Sequence, residues 1–469
     1  GKIKCIYIDP PYNTGNEGWI YNDNVNDPKI SKWLGEVVGK EGEDLSRHDK
    51  WLCMMYPRLV LLQKLLAEDG AIFISIDDNE HANLLLVCNE IFGSNNFIQD
   101  IIWNKRVSPA RDAKFFSTDH EYILVYSKNK ESLTTHFLPR TEKNNSYYKN
   151  PDNDPRGPWN SAAYTCNKSR DERPNLYYPI TNPYTGEKIF PKESAVWAYS
   201  EETYQQHVRD NLLYWGVNGE AKQPRKKAFL SEVGDVVPRS VWSHSDVGST
   251  QKATMENNTI FNMRAFSYPK VSTLVERIIQ IASDKDSIVL DSFAGSGTTA
   301  HAVLNMNKSD GGNRKFILVE MGDYADTITA ERVKRVINGY GEGKNAVEGT
   351  GGNFSYYELG NPLFMQDGTI NDEVDITEVR KYVWYTETNG IEYKEDIQEK
   401  YFLGSYNDTA YYFYYEKDRV TILDYEFLTS VHKKEQTYVM YADSCALSDS
   451  DLQKWNITFK KIPRDIEHI

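Results

Sequence analysis

Residues 3–8, Ile-Lys-Cys-Ile-Tyr-Ile, run directly into Asp9-Pro10-Pro11-Tyr12, and this junction limits the fold more than any other stretch. The apolar run reads as a buried strand. The prolines must end it, because proline has no ladder donor and steers the residue before it away from helix. The product is a stiff loop at the carboxyl end of a strand, where open α/β sheets bind ligands. Asp9 offers carboxylate oxygens, Pro10 a carbonyl that no local helix uses, and Tyr12 a flat face. A planar heterocycle with an exocyclic amine fits this set. Its ring stacks on Tyr12, and its amine hydrogens go to Asp9 and the Pro10 carbonyl. Taken alone, the same residues also describe a proline-stiffened turn with a surface acid.

The following chain alternates helix and strand. Apolar residues recur at helical spacing at Trp51, Leu52, Met55, Leu59, Leu62, Leu65 and Leu66. Ser46-x-x-Asp49 opens that helix, Gly70 closes it, and Pro57 is an expected kink. Strands are expected over 71–76, 98–103 and 122–126, with a helix over 79–91. This is an α/β rhythm. The polar stretch 13–49, with Trp19, Tyr21 and Trp33, is too long for a connector and reads as a functional loop beside the site.

A chain of 469 residues is too long for one core, so two or three domains are expected. Its net charge of −14 argues against a general nucleic-acid coat. The charge is uneven, however: residues 104–270 hold 24 Lys and Arg against 19 Asp and Glu. Within that span, 140–265 is rich in Asn, Pro, Gly, Tyr and Trp, and short strands and turns are expected. Lys222, Arg225, Lys226 and Lys227 form its sharpest basic cluster, and Lys105 and Arg106 precede it. Such a cluster is either a solvated face or a means of positioning phosphates. The five cysteines are scattered without a CxxC pair, which reads as free thiols in a reducing compartment and suggests no zinc or other metal site. No apolar run approaches a membrane span and no secretory signal is visible, so a cytoplasmic protein without a membrane partner is expected. The chain begins without Met, so residues upstream of it are expected.

Periodicity returns at Phe266-Ser-Tyr-Pro269-Lys270. A helix follows over 271–282, with Pro269 in its first turn. A strand at 287–290 leads into Asp291-Ser-Phe293-Ala294-Gly295-Ser-Gly297-Thr298, a glycine-rich turn that opens a helix. It lacks the third glycine of a dinucleotide fingerprint and the Gly-Lys-Ser/Thr of a phosphate loop. The next strand, 316–319, ends in Glu320, and an acid there suits ribose hydroxyls. A ribose site without a pyrophosphate cradle points to S-adenosylmethionine, with Asp291 and the turn backbone at its amino-acid end. A helix over 325–338 and a glycine-rich linker over 339–352 precede a separate α/β or β-rich region, 353–469.

Taken in order, Asp9-Pro-Pro-Tyr-Asn-Thr-Gly15, Phe73-Ile-Ser-Ile-Asp-Asp78, His120-Glu-Tyr-Ile-Leu-Val-Tyr126, the 266–270 stretch and Leu290-Asp-Ser-Phe-Ala-Gly-Ser-Gly-Thr-Thr299 resemble the permuted, beta-class amino DNA methyltransferases. Asp154-Pro-Arg-Gly-Pro-Trp159 and Val241-Trp242 resemble modification subunits of type III restriction systems. The resemblance implies an α/β, Rossmann-like methyltransferase with a mostly parallel seven-stranded sheet. It implies a catalytic part over 1–130, an inserted target-recognition domain over 131–262, a cofactor part over 263–345 and a C-terminal α+β domain over 353–469. It implies adenine N6 as target, with cytosine N4 as the alternative, and a base flipped onto Tyr12 with its amine on Asp9 and Pro10. Phe266, Lys270, Phe293, Gly295, Gly297 and Glu320 would line the S-adenosylmethionine site, with Pro269, Ala294 and Thr298 beside them. The expected partners are double-stranded DNA, a second copy of the chain and a separate restriction subunit. A role mainly in recruiting that nuclease, and methylation of RNA or a protein amide, stand as alternatives. The family also has a strand and polar turn upstream of Lys2.

Overall fold

The computed structural model describes residues 1–14, 47–111, 113–394 and 399–466. These fall into two compact units, 1–354 and 355–466. Gly15, Ser46 and most of the expected 13–49 loop, with Trp19, Tyr21 and Trp33, lie outside the described residues.

The first unit is built on one seven-stranded sheet. Before the insert come β1 (Ile3–Ile8), β2 (Leu66–Ile76), β3 (Phe97–Asn104) and β4 (His120–Ser127). Within the insert, β5 (Trp159–Ala163), β6 (Leu213–Tyr214) and β7 (Arg225–Phe229) form a small sheet of order β6-β7-β5. β8 (Val241–Trp242), β9 (Ile288–Asp291) and β10 (Lys315–Leu318) return to the main sheet, whose order is β8-β3-β4-β2-β1-β9-β10. All its pairings are parallel except those of β4 with β2 and β3. The expected mostly parallel, Rossmann-like sheet is therefore present, with β4 as its single reversed strand.

The continuous apolar run of β1 follows from burial on both faces. Cys5 and Tyr7 enter one cluster, with Phe73 and with Leu274, Val275 and Ile278 of α4 (Ser272–Ala282). Ile6 and Ile8 enter the other, with Ile72, Ile74 and Leu84 of α2 (His81–Cys88) and with Trp51, Met55 and Leu59 of α1 (Arg47–Leu65). The helical spacing read from the sequence is this face of α1, which runs through Pro57. Between α2 and α4 lies α3 (Thr250–Phe261).

Three expectations need correction. Leu66 and Gly70 belong to β2, not to the preceding helix. The β1–β2 register shifts between Ile3 and Cys5, and a Cβ on Gly70 would lie 2.8 Å from the Ile3 carbonyl oxygen, so close strand approach explains this glycine. Pro269 precedes α4, whose N-cap is Val271, instead of sitting in its first turn. The glycine-rich 339–352 stretch is no simple linker, because Gly339–Tyr340 pairs with Val347–Glu348 in an antiparallel hairpin.

The insert is fastened near the start of β1. Lys4 Nζ donates to Thr134 Oγ1 at 2.9 Å, the His136 amide donates to the Ile281 carbonyl, and Leu138 pairs with Val236 across the entering and leaving strands. Val241–Trp242, which falls within the span read as insert, pairs with Ile102 and Trp103 in the main sheet.

The second unit packs a helix (Ile376–Thr388) on a four-stranded sheet of β11 (Phe402–Tyr406), β12 (Thr409–Phe413), β13 (Thr437–Ala442) and β14 (Ile457–Lys461). Tyr411 and Phe413 fill one of its apolar clusters and Tyr412 the other, which accounts for the aromatic run.

Candidate active site

The chain passes from β1 to β2 on one side and returns through β9 on the other, so the carboxyl ends of β1 and β9 flank the point where strand order reverses. Asp9 follows one end and Asp291 closes the other.

The loop after β1 is held from several sides. Trp51, fully buried in α1, donates its indole N–H to the Pro11 carbonyl at 2.7 Å. Asn13 adopts a left-handed conformation (φ 60°) and donates to the fully buried Glu80, which also bonds His48 Nδ1 at 2.7 Å. Among the described residues none donates to the buried Pro10 carbonyl.

Asp9 does not stand alone. Lys270 Nζ donates to Asp9 Oδ1 and Oδ2 at 2.7 and 2.8 Å, and to the Tyr12 hydroxyl at 2.9 Å. The Tyr12 hydroxyl donates to Glu121 Oε2 at 3.0 Å, and Lys105 donates to Glu121 Oε1 at 2.7 Å. Two carboxylates and two ammoniums thus alternate around one phenol. Burial pushes the Asp9 carboxyl above its usual range, and the Glu121 charge adds to this, although the Lys270 ammonium opposes it. Burial also works against ionised Glu121, but Lys270 and Lys105 outweigh it and hold that carboxyl below its usual range. Burial opposes the Lys270 charge too, but Asp9 and Glu121 raise its pKa overall. Tyr12, with its pKa raised by burial and then by both acids, stays a phenol. The sequence reading missed Glu121. An acid at the start of an otherwise apolar strand was its only signal.

The β9 turn is equally constrained. Gly295 and Gly297 take φ values of 52° and 82°, and a Cβ on Gly297 would lie 2.9 Å from the Thr329 carbonyl oxygen. Asp291 accepts from the Phe293 amide at 3.0 Å and from Thr299 Oγ1 at 2.5 Å. Burial pushes its carboxyl up to about 7, against those hydrogen bonds and helped by the charges of Asp9 and Glu320. Behind the turn, Arg332 of α6 (Glu331–Asn338) is fully buried and donates to Ser296 Oγ at 2.8 Å and Thr298 Oγ1 at 3.0 Å. Thr298, at the start of α5 (Thr298–Asp310), also donates to the Lys270 carbonyl at 3.2 Å. That bond joins the glycine turn to the residue that holds Asp9.

The expected cofactor-lining residues do not all present themselves in the same way. Phe266 lies against Gly295 and meets Tyr324, missed in the sequence, edge to face at 5.5 Å between ring centroids. Phe293 is buried in the apolar cluster of Ile6, Ile8 and Leu290, so it supports the turn from beneath. Ala294 and Pro269 are buried. Glu320 accepts from the amides of Gly295, Met321 and Gly322 at 2.7, 2.9 and 2.8 Å, and the Tyr324 phenol lies against the same carboxylate. A backbone cradle, a buried acid able to take an ammonium and an aromatic pair suit a nucleoside with a cationic amino-acid tail.

The basic residues divide sharply. Lys227, read as a phosphate contact, is buried and pairs with Asp152 at 2.5 Å and Asp154 at 2.9 Å. It is a structural ion pair. Arg156 and then Lys227 hold Asp154 well below the usual carboxylate range. Arg225 is exposed, although its guanidinium bonds Ser161 Oγ and the Ser161 carbonyl, both at 2.8 Å. Lys226 lies 5.0 Å from the Tyr199 ring centroid. Lys222 and Arg106 are exposed, whereas Lys105 belongs to the Glu121 network.

A family model described as "DNA methylase" matches residues 3–331. The Type III restriction-modification enzyme StyLTI Mod subunit of Salmonella typhimurium is 36% identical over 362 residues, covering 71% of this chain and 53% of that protein. The EcoPI Mod subunit of Escherichia phage P1 is 33% identical, covering 68% of this chain and 54% of the relative. The Type II methyltransferase M.KpnI of Klebsiella pneumoniae is 34% identical, covering 68% of this chain and 75% of the relative. The chain spans about half the length of the Mod subunits it matches.

Proposed function

The chain belongs to the DNA methylase family, and from that premise we propose that it transfers a methyl group from S-adenosylmethionine to the N6 amine of an adenine flipped out of DNA. Asp9 and Pro10 beside Tyr12, across the sheet reversal from the β9 glycine turn, are the observation that carries this reading.

Bound S-adenosylmethionine supplies a methyl group already activated on a sulfonium. Phe266 and Tyr324 would flank its purine, Glu320 its ribose, and Asp291 its ammonium. Tyr12 gives the target base a stacking face worth about 1–3 kcal/mol, against an extrusion cost of a few kcal/mol. Asp9 and the Pro10 carbonyl accept the amine hydrogens, which leaves the nitrogen lone pair free to attack the methyl carbon. The Asp9 carboxylate would stabilise the positive charge that develops on nitrogen as the N–CH3 bond forms and the S–CH3 bond breaks to a neutral thioether, and Asp9 or water would take the surplus proton. Positioning contributes roughly 7–11 kcal/mol in well-oriented reactions of this kind.

Similarity to Mod subunits supports a modification role in a restriction system, with a separate restriction subunit as partner. The 131–262 insert would read the target sequence, and 353–469 would pair two copies of the chain. Among the described residues no helix is long and apolar enough to cross a membrane. The test is transfer of labelled methyl from S-adenosylmethionine to DNA followed by nucleoside analysis. N6-methyladenine supports the reading, whereas N4-methylcytosine would move the target to cytosine. Transfer to RNA or protein alone would replace it.

A further inference from the structure

The segment that joins the carboxyl end of β3 to the start of β4, described over 105–111 and 113–119, rises from the same sheet edge as Asp9. β3 and β1 are separated by β4 and β2, which places them about 14 Å apart along that edge at ordinary strand spacing. The segment is tied at its base. The amides of Lys105 and Arg106 donate to the Asp119 carbonyl at 2.9 and 3.3 Å. The Ala110 amide donates to Ser117 Oγ at 2.7 Å, and that hydroxyl donates to Asp119 Oδ1. Lys105 then reaches Glu121, which holds Tyr12.

Phe115 and Phe116 in this segment are 81% and 91% exposed. Neighbouring phenyl rings bare to water on a hydrogen-bonded loop belong to neither apolar core of the sheet and mark a contact surface. Arg106, Arg111 and Lys114 are exposed in the same segment, and Lys114 Nζ lies 5.4 Å from the Phe115 ring centroid. Exposed apolar rings on a segment that also exposes three cations match one surface chemistry well: a phosphate-lined duplex with an opened base stack.

We propose that Phe115 and Phe116 form a wedge that enters the duplex beside the target and fills the place left by the extruded base, while Arg106, Arg111 and Lys114 hold the flanking phosphates. The proposal rests on the DNA-methylation reading above. Its physical logic is compensation: a base that leaves the stack exposes its neighbours, and an inserted ring restores stacking on them.

The test is a Phe115→Ala/Phe116→Ala variant assayed for methyl transfer on two duplexes. In one the target base is paired, and in the other it lies opposite an abasic site, where extrusion is easier. Unchanged S-adenosylmethionine binding shows that the variant is folded. The expected result is a loss of roughly tenfold or more on the paired duplex, recovered to within about threefold of wild type on the abasic one. A Phe116→Trp variant should keep most activity on both. Equal loss on the two duplexes would reduce the rings to an affinity contact and overturn the wedge, as would no loss on either. Absence of transfer by the wild type on both duplexes would remove the methylation reading, and the wedge with it.

Discussion

Asp9 and Lys270 stand 261 residues apart in the chain, yet the Lys270 ammonium bridges both carboxylate oxygens of Asp9 at 2.7 and 2.8 Å. The acceptor assigned to the target amine is therefore already ordered, and the cation that orders it must share it when the base arrives. Tyr12 and Glu121 lie within reach of the same ammonium, at 2.9 and 3.5 Å.

Asp9→Ala should abolish methyl transfer while leaving S-adenosylmethionine binding nearly unchanged. Retained turnover would remove Asp9 from the reaction.

Lys270→Met should move the acid limb of the pH–rate profile to higher pH. Burial and Glu121 already favour protonated Asp9, and Lys270 is the main force against them. Without it Asp9 ionises only in more alkaline solution. Tyr7, Tyr12 and Asp291 also couple to Asp9, but none of them supplies a positive charge. An acid limb that stays in place would show that Asp9 ionisation does not control the rate.

Asp291→Asn should flatten the dependence of stability on pH. Folding raises this carboxyl from 3.8 to about 7, so the folded state holds a proton that the unfolded chain has released. The stabilisation is fully present below about pH 4 and is lost as pH rises through 7. The wild type should lose up to about 4 kcal/mol over that window from this one group. Denaturant titrations of both proteins at pH 5 and pH 8 give the comparison, and parallel losses would refute it.

Lys227→Met should destabilise the protein by about 1–3 kcal/mol, because it removes the buried cation shared by Asp152 and Asp154 and leaves Arg156 alone against Asp154. Lys222→Ala together with Lys226→Ala should leave stability within about 0.5 kcal/mol and make DNA binding less steep in salt. Urea melts and binding isotherms at several salt concentrations separate these effects. Equal stability loss in both variants would contradict the division between them.

Local physics explains what could be read in advance. β1 is apolar at every position but Lys4 because both its faces are buried, so its strand and its proline stop were plain in the sequence. The Gly295 turn was plain because backbone at positive φ favours glycine. Glu121 was hidden because its role depends on β4 running backward, which brings the start of that strand to the ligand edge. Lys227 looked like its neighbours in a basic cluster. The pairing of β7 with β5 puts Lys226 on the face opposite Lys227, whereas Arg225 shares the Lys227 face and differs in lying exposed at the strand end, away from Asp152 and Asp154. Gly70 read as a helix stop because close approach between strands leaves no local signature.

The insert meets the main sheet through a narrow base, with Leu138 bridged to Val236 and Thr134 and His136 anchored near the start of β1. That base lies at the opposite end of β1 from Asp9. A segment attached in this way is exchangeable. Recombination between related genes at such a neck would replace everything between 138 and 236 and leave the Asp9–Lys270–Glu121 contacts intact. On the reading proposed for the insert, a lineage built on this plan would change which sequences it marks in one genetic step, without rediscovering how to mark them.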